Sequence, residues 1–370
     1  MNDNLFRTIH EDKQNEIPGQ NPVHRTGELT GMYQALRPLI FQLEPETAHN
    51  LTLGLLRLVA AMPGLRHIVR RLYRTQPKPV HAFGMSFSNP VGLAAGYDKD
   101  GLAWRGLALL GFGHIELGTV TLRPQPGNPR PRVFRLVEDE GLINRMGFPG
   151  RGSAHLARKL KSPRPPGLIL GVNLGINKET SIESAADDYL ALIKIFAPLA
   201  DYLAVNISSP NTPGLRQLQD RYILNDLLAR LKSATAEISV AVGRRVPVLI
   251  KLAPDLSDRQ LDEALEAILE NGMDGVIATN TTLRRGGLLS SCSTEEGGLS
   301  GAPLLRQSTE IVEKISRRTG RQLPIIAVGG IMSAADALEK LEAGASLVQV
   351  YTGLIYRGPG LVKSIIEALP

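Results

Sequence analysis

From residue 91 onward, short apolar runs alternate with longer amphipathic stretches. The runs at 91–93, 114–118, 168–172, 202–206, 248–252, 275–279, 325–328 and 347–350 carry few polar positions, the pattern of strands buried on both faces. Helix-sized intervals such as 257–270 and 332–343 separate them. Eight strand–helix units predict an α/β fold closed into a parallel (β/α)8 barrel rather than an open sheet. Residues 81–89 read as a hairpin that plugs the barrel floor. Longer insertions follow the second strand (121–148), the fourth (208–219) and the sixth (281–301). Loops at the C-terminal ends of barrel strands are where such folds build active sites.

The first 75 residues follow a different pattern. Residues 1–30 are polar without a period and read as a disordered tail. An apolar helix is expected around 32–43. Glu44-Pro45-Glu46 opens a second one, with proline near the first helical position and acids at the positive end of the dipole. Ala48, Leu51, Leu55, Leu58 and Val59 recur at helical spacing until Met62-Pro63-Gly64 ends the run. Beyond it, Arg66, Arg70 and Arg74 repeat every fourth residue, with His67 and Arg71 beside them. The chain thus divides into a tail (1–30), an amphipathic helical module (31–75) and the barrel (76–370).

Composition narrows the class. At 43% apolar the chain can bury a large core, and a net charge of +6 is basic without being extreme. Only Tyr73 interleaves with the arginines of the module, so they suit anionic headgroups better than nucleic acid. Cys292 is the one cysteine, which leaves no intrachain disulfide and suits a reducing compartment. No metal-ligand spacing of cysteine or histidine is visible. Asp3, Glu11 and Asp12 interrupt a polar start that does not read as a signal peptide. Arg57 breaks the best apolar run short of the roughly 18 residues a membrane span needs.

Every barrel strand ends in polar residues or glycine. The first leads into Ala95-Gly96-Tyr97-Asp98-Lys99 and the second into Gly118-Thr119. The next ends are Asn173, Asn206, Lys251 and Thr279-Asn280-Thr281. After Asn206, the segment Ile207-Ser208-Ser209-Pro210-Asn211-Thr212-Pro213-Gly214 crowds hydroxyls, an amide and turn formers onto a buried strand, which marks a loop that serves a small polar molecule. The last two strands end in Gly329-Gly330 and Tyr351-Thr352-Gly353. Loops at these places in barrels commonly hold a phosphate through backbone N–H groups, and glycine permits the close approach. Tight turns alone are the other reading of these glycines. Lys251, at the end of a buried strand, either faces a flavin pyrimidine that becomes anionic on reduction or pairs with a neighbouring carboxylate. Phosphate loops, amides and a lysine together fit flavin mononucleotide.

The segments GLAAGYDKDG, GFGHIELGTVT, INRMGF, NISSPNTPGL, IATNTT, GGLSG and AVGGI, in this order, resemble the dihydroorotate dehydrogenase family from about Tyr33 to the C-terminus. The resemblance implies an FMN-containing (β/α)8 barrel that oxidises (S)-dihydroorotate to orotate in pyrimidine (UMP) biosynthesis. It implies FMN contacts from Ala95, Gly96, Tyr97, Asp98, Lys99, Thr119, Asn173, Asn206, Lys251, Thr279, Gly301, Gly330, Tyr351 and Thr352. Substrate contacts would come from Lys99, Asn144, Arg145, Met146, Gly147, Phe148, Asn206, Asn211, Asn280 and Thr281, with Ser209 as catalytic base. Serine at this position and an N-terminal helical extension match the quinone-dependent class. Class 1 enzymes, which use fumarate or NAD, carry a cysteine there and lack the extension. A membrane quinone is therefore the implied acceptor, with His49, Arg135 and Tyr351 near its head group. The implied location is peripheral, on the cytoplasmic face of the cell (inner) membrane of a bacterium-like cell. Tyr97 departs from the aliphatic residue common at its place and alters the pocket wall.

Overall fold

The computed structural model describes the backbone over residues 22–370 and side chains from residue 31. The expected tail lies outside the described residues up to residue 21. Helix α1 (Pro22–Gln42) begins inside the remainder of that range, earlier than the pattern of apolar residues placed it. Helices α2 (Pro45–Ala61) and α3 (Pro63–Leu72) follow. The Glu44 carboxylate accepts from the Thr47 N–H at 2.8 Å and caps α2, with Pro45 next to it in the first turn.

Strands β1 (Val80–Ala82) and β2 (Met85–Phe87) form the hairpin on the barrel floor. The barrel strands are β3 (Val91–Leu93), β4 (His114–Val120), β7 (Ile169–Leu174), β8 (Tyr202–Asn206), β9 (Val248–Leu252), β10 (Gly275–Ala278), β12 (Ile325–Val328) and β13 (Leu347–Val350). Each pairs in parallel with the next, and β13 closes on β3 with Val348 opposite Val91. Phe83 and Phe87 of the hairpin pack with Tyr202, Leu249, Ile277, Ile326 and Leu347 to fill the lower barrel. The outward strand positions join the surrounding helices in the main core.

Two insertions hold structure that the sequence pattern did not resolve. Strands β5 (Val133–Leu136) and β6 (Gly141–Asn144) lie in the first, and β11 (Gly298–Gly301) in the last. They join as an antiparallel sheet in the order β11-β6-β5, which carries Asn144 to the barrel mouth.

The helices at the N-terminus are fastened to the barrel. Glu46 and Arg132 are both buried, with the Arg132 Nη2 at 2.9 Å and Nε at 3.1 Å from the two carboxylate oxygens. Arg130 reaches the same carboxylate at 3.1 Å. Leu53 belongs to the main core, and α2 lies so close to residues 104–107 that a Cβ on Gly106 would meet the Leu56 carbonyl at 2.2 Å. Tyr33 OH of α1 donates to the Ile355 carbonyl at 2.6 Å. Despite this, α1 to α3 leave Leu36, Leu39, Leu51, Leu55, Leu58 and Ile68 about half exposed or more. Among the described residues no single helix is long and apolar enough to cross a membrane, and the α2–α3 pair is bent by 107°.

Candidate active site

Strand parity decides what points into the barrel mouth. Along β8 the inward positions are Tyr202, Ala204 and Asn206, and along β9 they are Leu249 and Lys251. Asn206 is the hub of a hydrogen-bonded layer. Its Nδ2 donates to Thr119 Oγ1 at 3.1 Å and to Asn173 Oδ1 at 3.2 Å. Its Oδ1 accepts from Asn280 Nδ2 at 3.1 Å, and the same Asn280 nitrogen reaches Ser208 Oγ at 3.0 Å. Above this layer Asn211 Nδ2 donates to Asn144 Oδ1 at 3.2 Å. The Asn211 backbone N–H donates to Ser209 Oγ at 3.2 Å. Five asparagines and two serines, from strand ends and the loops that follow them, are thus fixed together.

Asn144, Asn206, Ser209, Asn211 and Asn280 line a single cavity of about 740 Å³ that runs from the barrel mouth to the gap between α1 and α2. Ala95, Gly96, Tyr97, Asp98, Lys99, Thr119, Lys251, Thr279, Gly301, Gly330, Tyr351 and Thr352 line it, as do Met146, Gly147, Phe148, Asn280 and Thr281. At the other end Tyr33, Leu36, His49 and Leu55 form the walls. Lys99 Nζ donates to the Gly96 carbonyl at 2.7 Å. His49 packs edge-on to Tyr97 at 5.0 Å and Tyr97 to Tyr351 at 5.6 Å, an aromatic wall between the two ends. Burial holds His49 down at about 4, so its ring is neutral at physiological pH.

Two expected contacts stand elsewhere. Arg145 turns out of the cavity, because its Nη1 meets Glu295 Oε2 at 2.6 Å and its guanidinium lies 4.6 Å over the Phe134 ring. Asn173 sits one layer below the cavity wall, accepting from Thr119 Oγ1 at 2.6 Å and donating to Glu116 Oε1 at 2.8 Å. Asp98 lines the cavity, but its carboxylate is spent on the Leu102 and Ala103 N–H groups at 2.7 and 2.8 Å. Arg135 also lines it while holding the Leu43 carbonyl at 2.7 Å.

The sequence reading missed Glu116, Tyr202 and Gln349. Tyr202 OH at 3.1 Å and Gln349 Nε2 at 3.0 Å both donate to Glu116 Oε2, and Lys251 Nζ lies 3.9 Å from Oε1. Lys251 therefore pairs with a carboxylate, the second of its two sequence readings, and its other side borders the cavity. A glutamate and a glutamine inside apolar runs were the available signal.

The cavity fits a phosphate-bearing flavin. Among the described residues Lys251 makes no hydrogen bond, and Gln349 Oε1 is buried without a partner. At Gly330, φ is +80° and a Cβ would strike the Leu305 backbone at 2.2 Å, so the backbone there stays bare beside the cavity.

Comparison with known proteins decides the family. The family model described as dihydroorotate dehydrogenase matches residues 79–370. The chain belongs to the dihydroorotate dehydrogenase family. It is 51% identical over 343 residues to the dihydroorotate dehydrogenase (quinone) of Acidithiobacillus ferrooxidans, covering 91% of this chain and 94% of the relative. It is 50% identical over 339 residues to that of Azotobacter vinelandii, covering 91% and 96%. The crystal structure of DHODH from Eimeria tenella in complex with ferulenol superposes with a TM-score of 0.80 at 36% identity, covering 89% of this chain and 93% of that one. As a dihydroorotate dehydrogenase, the chain shares residues before 79 with both curated relatives, because each match spans more of it than the family model does.

Proposed function

We propose that the chain oxidises (S)-dihydroorotate to orotate with FMN as hydride acceptor, and that a membrane quinone takes the electrons. The observation that carries this reading is the one cavity that joins Ser209, the asparagines and Lys251 to the gap between α1 and α2. FMN supplies the hydride chemistry when bound. The backbone around Gly329, Gly330 and Thr352 would hold its phosphate, and Asn206, Lys251 and Thr279 its ring. Asn144, Asn211 and Asn280 present amides to the urea-like face of the substrate, and Lys99 meets its carboxylate. Ser209 takes the proton from C5 as its own hydroxyl proton passes onward through Thr212 and a bound water, and the Asn211 N–H at 3.2 Å steadies the negative charge that develops on Oγ as that proton leaves. His49, Tyr351 and Arg135 line the path by which a quinone head group approaches.

The exposed apolar face of α1 to α3, with Arg66, Arg70, Arg71 and Arg74 exposed around it, supports peripheral attachment to the cytoplasmic face of the cell membrane. No feature of the chain favours a class 1 enzyme with a soluble acceptor.

FMN is expected to be held tightly without a covalent bond, so denaturation should release free FMN into the supernatant. A colourless protein that gains no activity on added FMN contradicts the cofactor assignment. Lys99 gives a pH signature. Burial draws its ammonium down to about 8, with Arg132 adding to the effect and Glu46, Asp100 and Asp98 opposing it. The lysine is charged below that value, so an anionic substrate loses its partner as pH rises through it. The ratio kcat/KM reports the free enzyme and should fall above about pH 8 while kcat holds. In Lys99→Met that alkaline limb should disappear, and its persistence would assign it to another group.

A further inference from the structure

Glu116 is fully buried at the centre of the barrel, and it is not among the residues expected to contact flavin or substrate. Residues from four other strands converge on its carboxylate. Asn173 Nδ2 donates to Oε1 at 2.8 Å, while Tyr202 OH and Gln349 Nε2 donate to Oε2 at 3.1 and 3.0 Å. All three donors are neutral, so they solvate the charge without cancelling it. Among the described residues the one cation within 4.0 Å is Lys251, 3.9 Å from Oε1. A buried carboxylate is costly unless a charge and hydrogen bonds compensate it.

The other titratable groups around the site do not alter this balance. His114 lies two residues before Glu116 on β4, and its ring centroid is 6.4 Å from that of Tyr202. Both its nitrogens are buried without partners, and burial depresses it to about 3, so it is neutral. Burial, and then Glu116 itself, push the Tyr202 phenol well up, so it remains a donor. Lys251 and Glu116 are the one opposite-charge pair in the barrel interior among the described residues.

We infer that Glu116 is a positioning residue that keeps Lys251 an ammonium facing the flavin, and so sets how strongly the reduced cofactor is stabilised. The inference rests on the flavin reading above. Its logic is electrostatic. Burial drives the Lys251 ammonium toward the neutral amine, and the Glu116 carboxylate opposes this. Replacing the carboxylate with a neutral amide removes that opposition. Lys251 then sheds its proton as pH rises, and negative charge on the reduced ring loses its partner.

The test is the midpoint potential of the bound flavin in the full-length holoenzyme, followed against pH. In Glu116→Gln the two-electron equilibrium should shift at least tenfold toward oxidised flavin at neutral pH, a fall of about 30 mV. The gap from wild type should widen as pH rises. In a Lys251→Met background the Glu116→Gln change should no longer lower the potential. A potential that rises or stays the same in Glu116→Gln overturns the inference. If Glu116→Gln does not hold flavin, Glu116→Asp decides the matter, because it keeps the charge but draws it back from Lys251. Its flavin potential should also fall below wild type, with a gap that widens as pH rises. An unchanged or raised potential there also overturns the inference. Wild-type protein without flavin would instead sink the functional reading on which it rests.

Discussion

Ser209→Ala is expected to lower turnover by about 10²–10⁴-fold, the usual cost of losing a positioned base, with flavin content unchanged. Ser209 is 5% exposed, lines the cavity, and takes one hydrogen bond, from the Asn211 N–H. The asparagine layer is held by other contacts, chiefly Asn280 to Asn206 and Ser208, and Asn211 to Asn144. Removing the hydroxyl therefore leaves the binding surface in place and subtracts only the proton acceptor. Anaerobic bleaching of the flavin by dihydroorotate reads this step apart from quinone reduction. An unchanged bleaching rate would mean that another group takes the C5 proton. Ser209→Cys should keep part of the activity with its pH optimum shifted downward, because a thiol ionises near 8.5, far below a hydroxyl.

Serine at Leu51, Leu58 and Ile68 together is expected to weaken binding to anionic vesicles by about 30-fold or more. These side chains are 60%, 53% and 54% exposed and lie outside the cavity wall. Full transfer of such a side chain from water is worth roughly 1.5–3 kcal/mol, and with about half of each available the three sum to roughly 2–4 kcal/mol. Exposed substitutions of this kind change fold stability little. Point changes are a cleaner test than truncation, because Glu46 and Leu53 tie α2 to the barrel. Reduction of a long-chain quinone in vesicles should fall with binding, while a soluble short-chain analogue should be reduced at the wild-type rate. If long-chain reduction and vesicle binding are both unchanged, the apolar face is not the membrane contact.

The barrel was legible because its strands are short, apolar and separated by helix-sized intervals; 91–93, 202–206, 248–252, 325–328 and 347–350 agree with the structure to the residue. The strand ends were legible for the related reason that polar groups and glycine interrupt buried runs there. Glu116, Tyr202 and Gln349 were not, because strands buried on both faces show no alternation and hide which positions point inward. The small sheet of β5, β6 and β11 escaped because each strand has four residues, and glycine, which reads as a turn, opens β6 and both opens and closes β11. Arg145 was misplaced by motif position alone. Its partner Glu295 lies 150 residues away in sequence, a distance at which no local pattern speaks.

The central claim is that one cavity couples dihydroorotate oxidation at Ser209 to quinone reduction at the helices. Purified protein given dihydroorotate and, in separate reactions, a quinone analogue, fumarate or NAD tests it most directly. The expected result is orotate formed in step with quinone reduction, with neither fumarate nor NAD consumed. Orotate formed with fumarate or NAD while the quinone stays oxidised would contradict it.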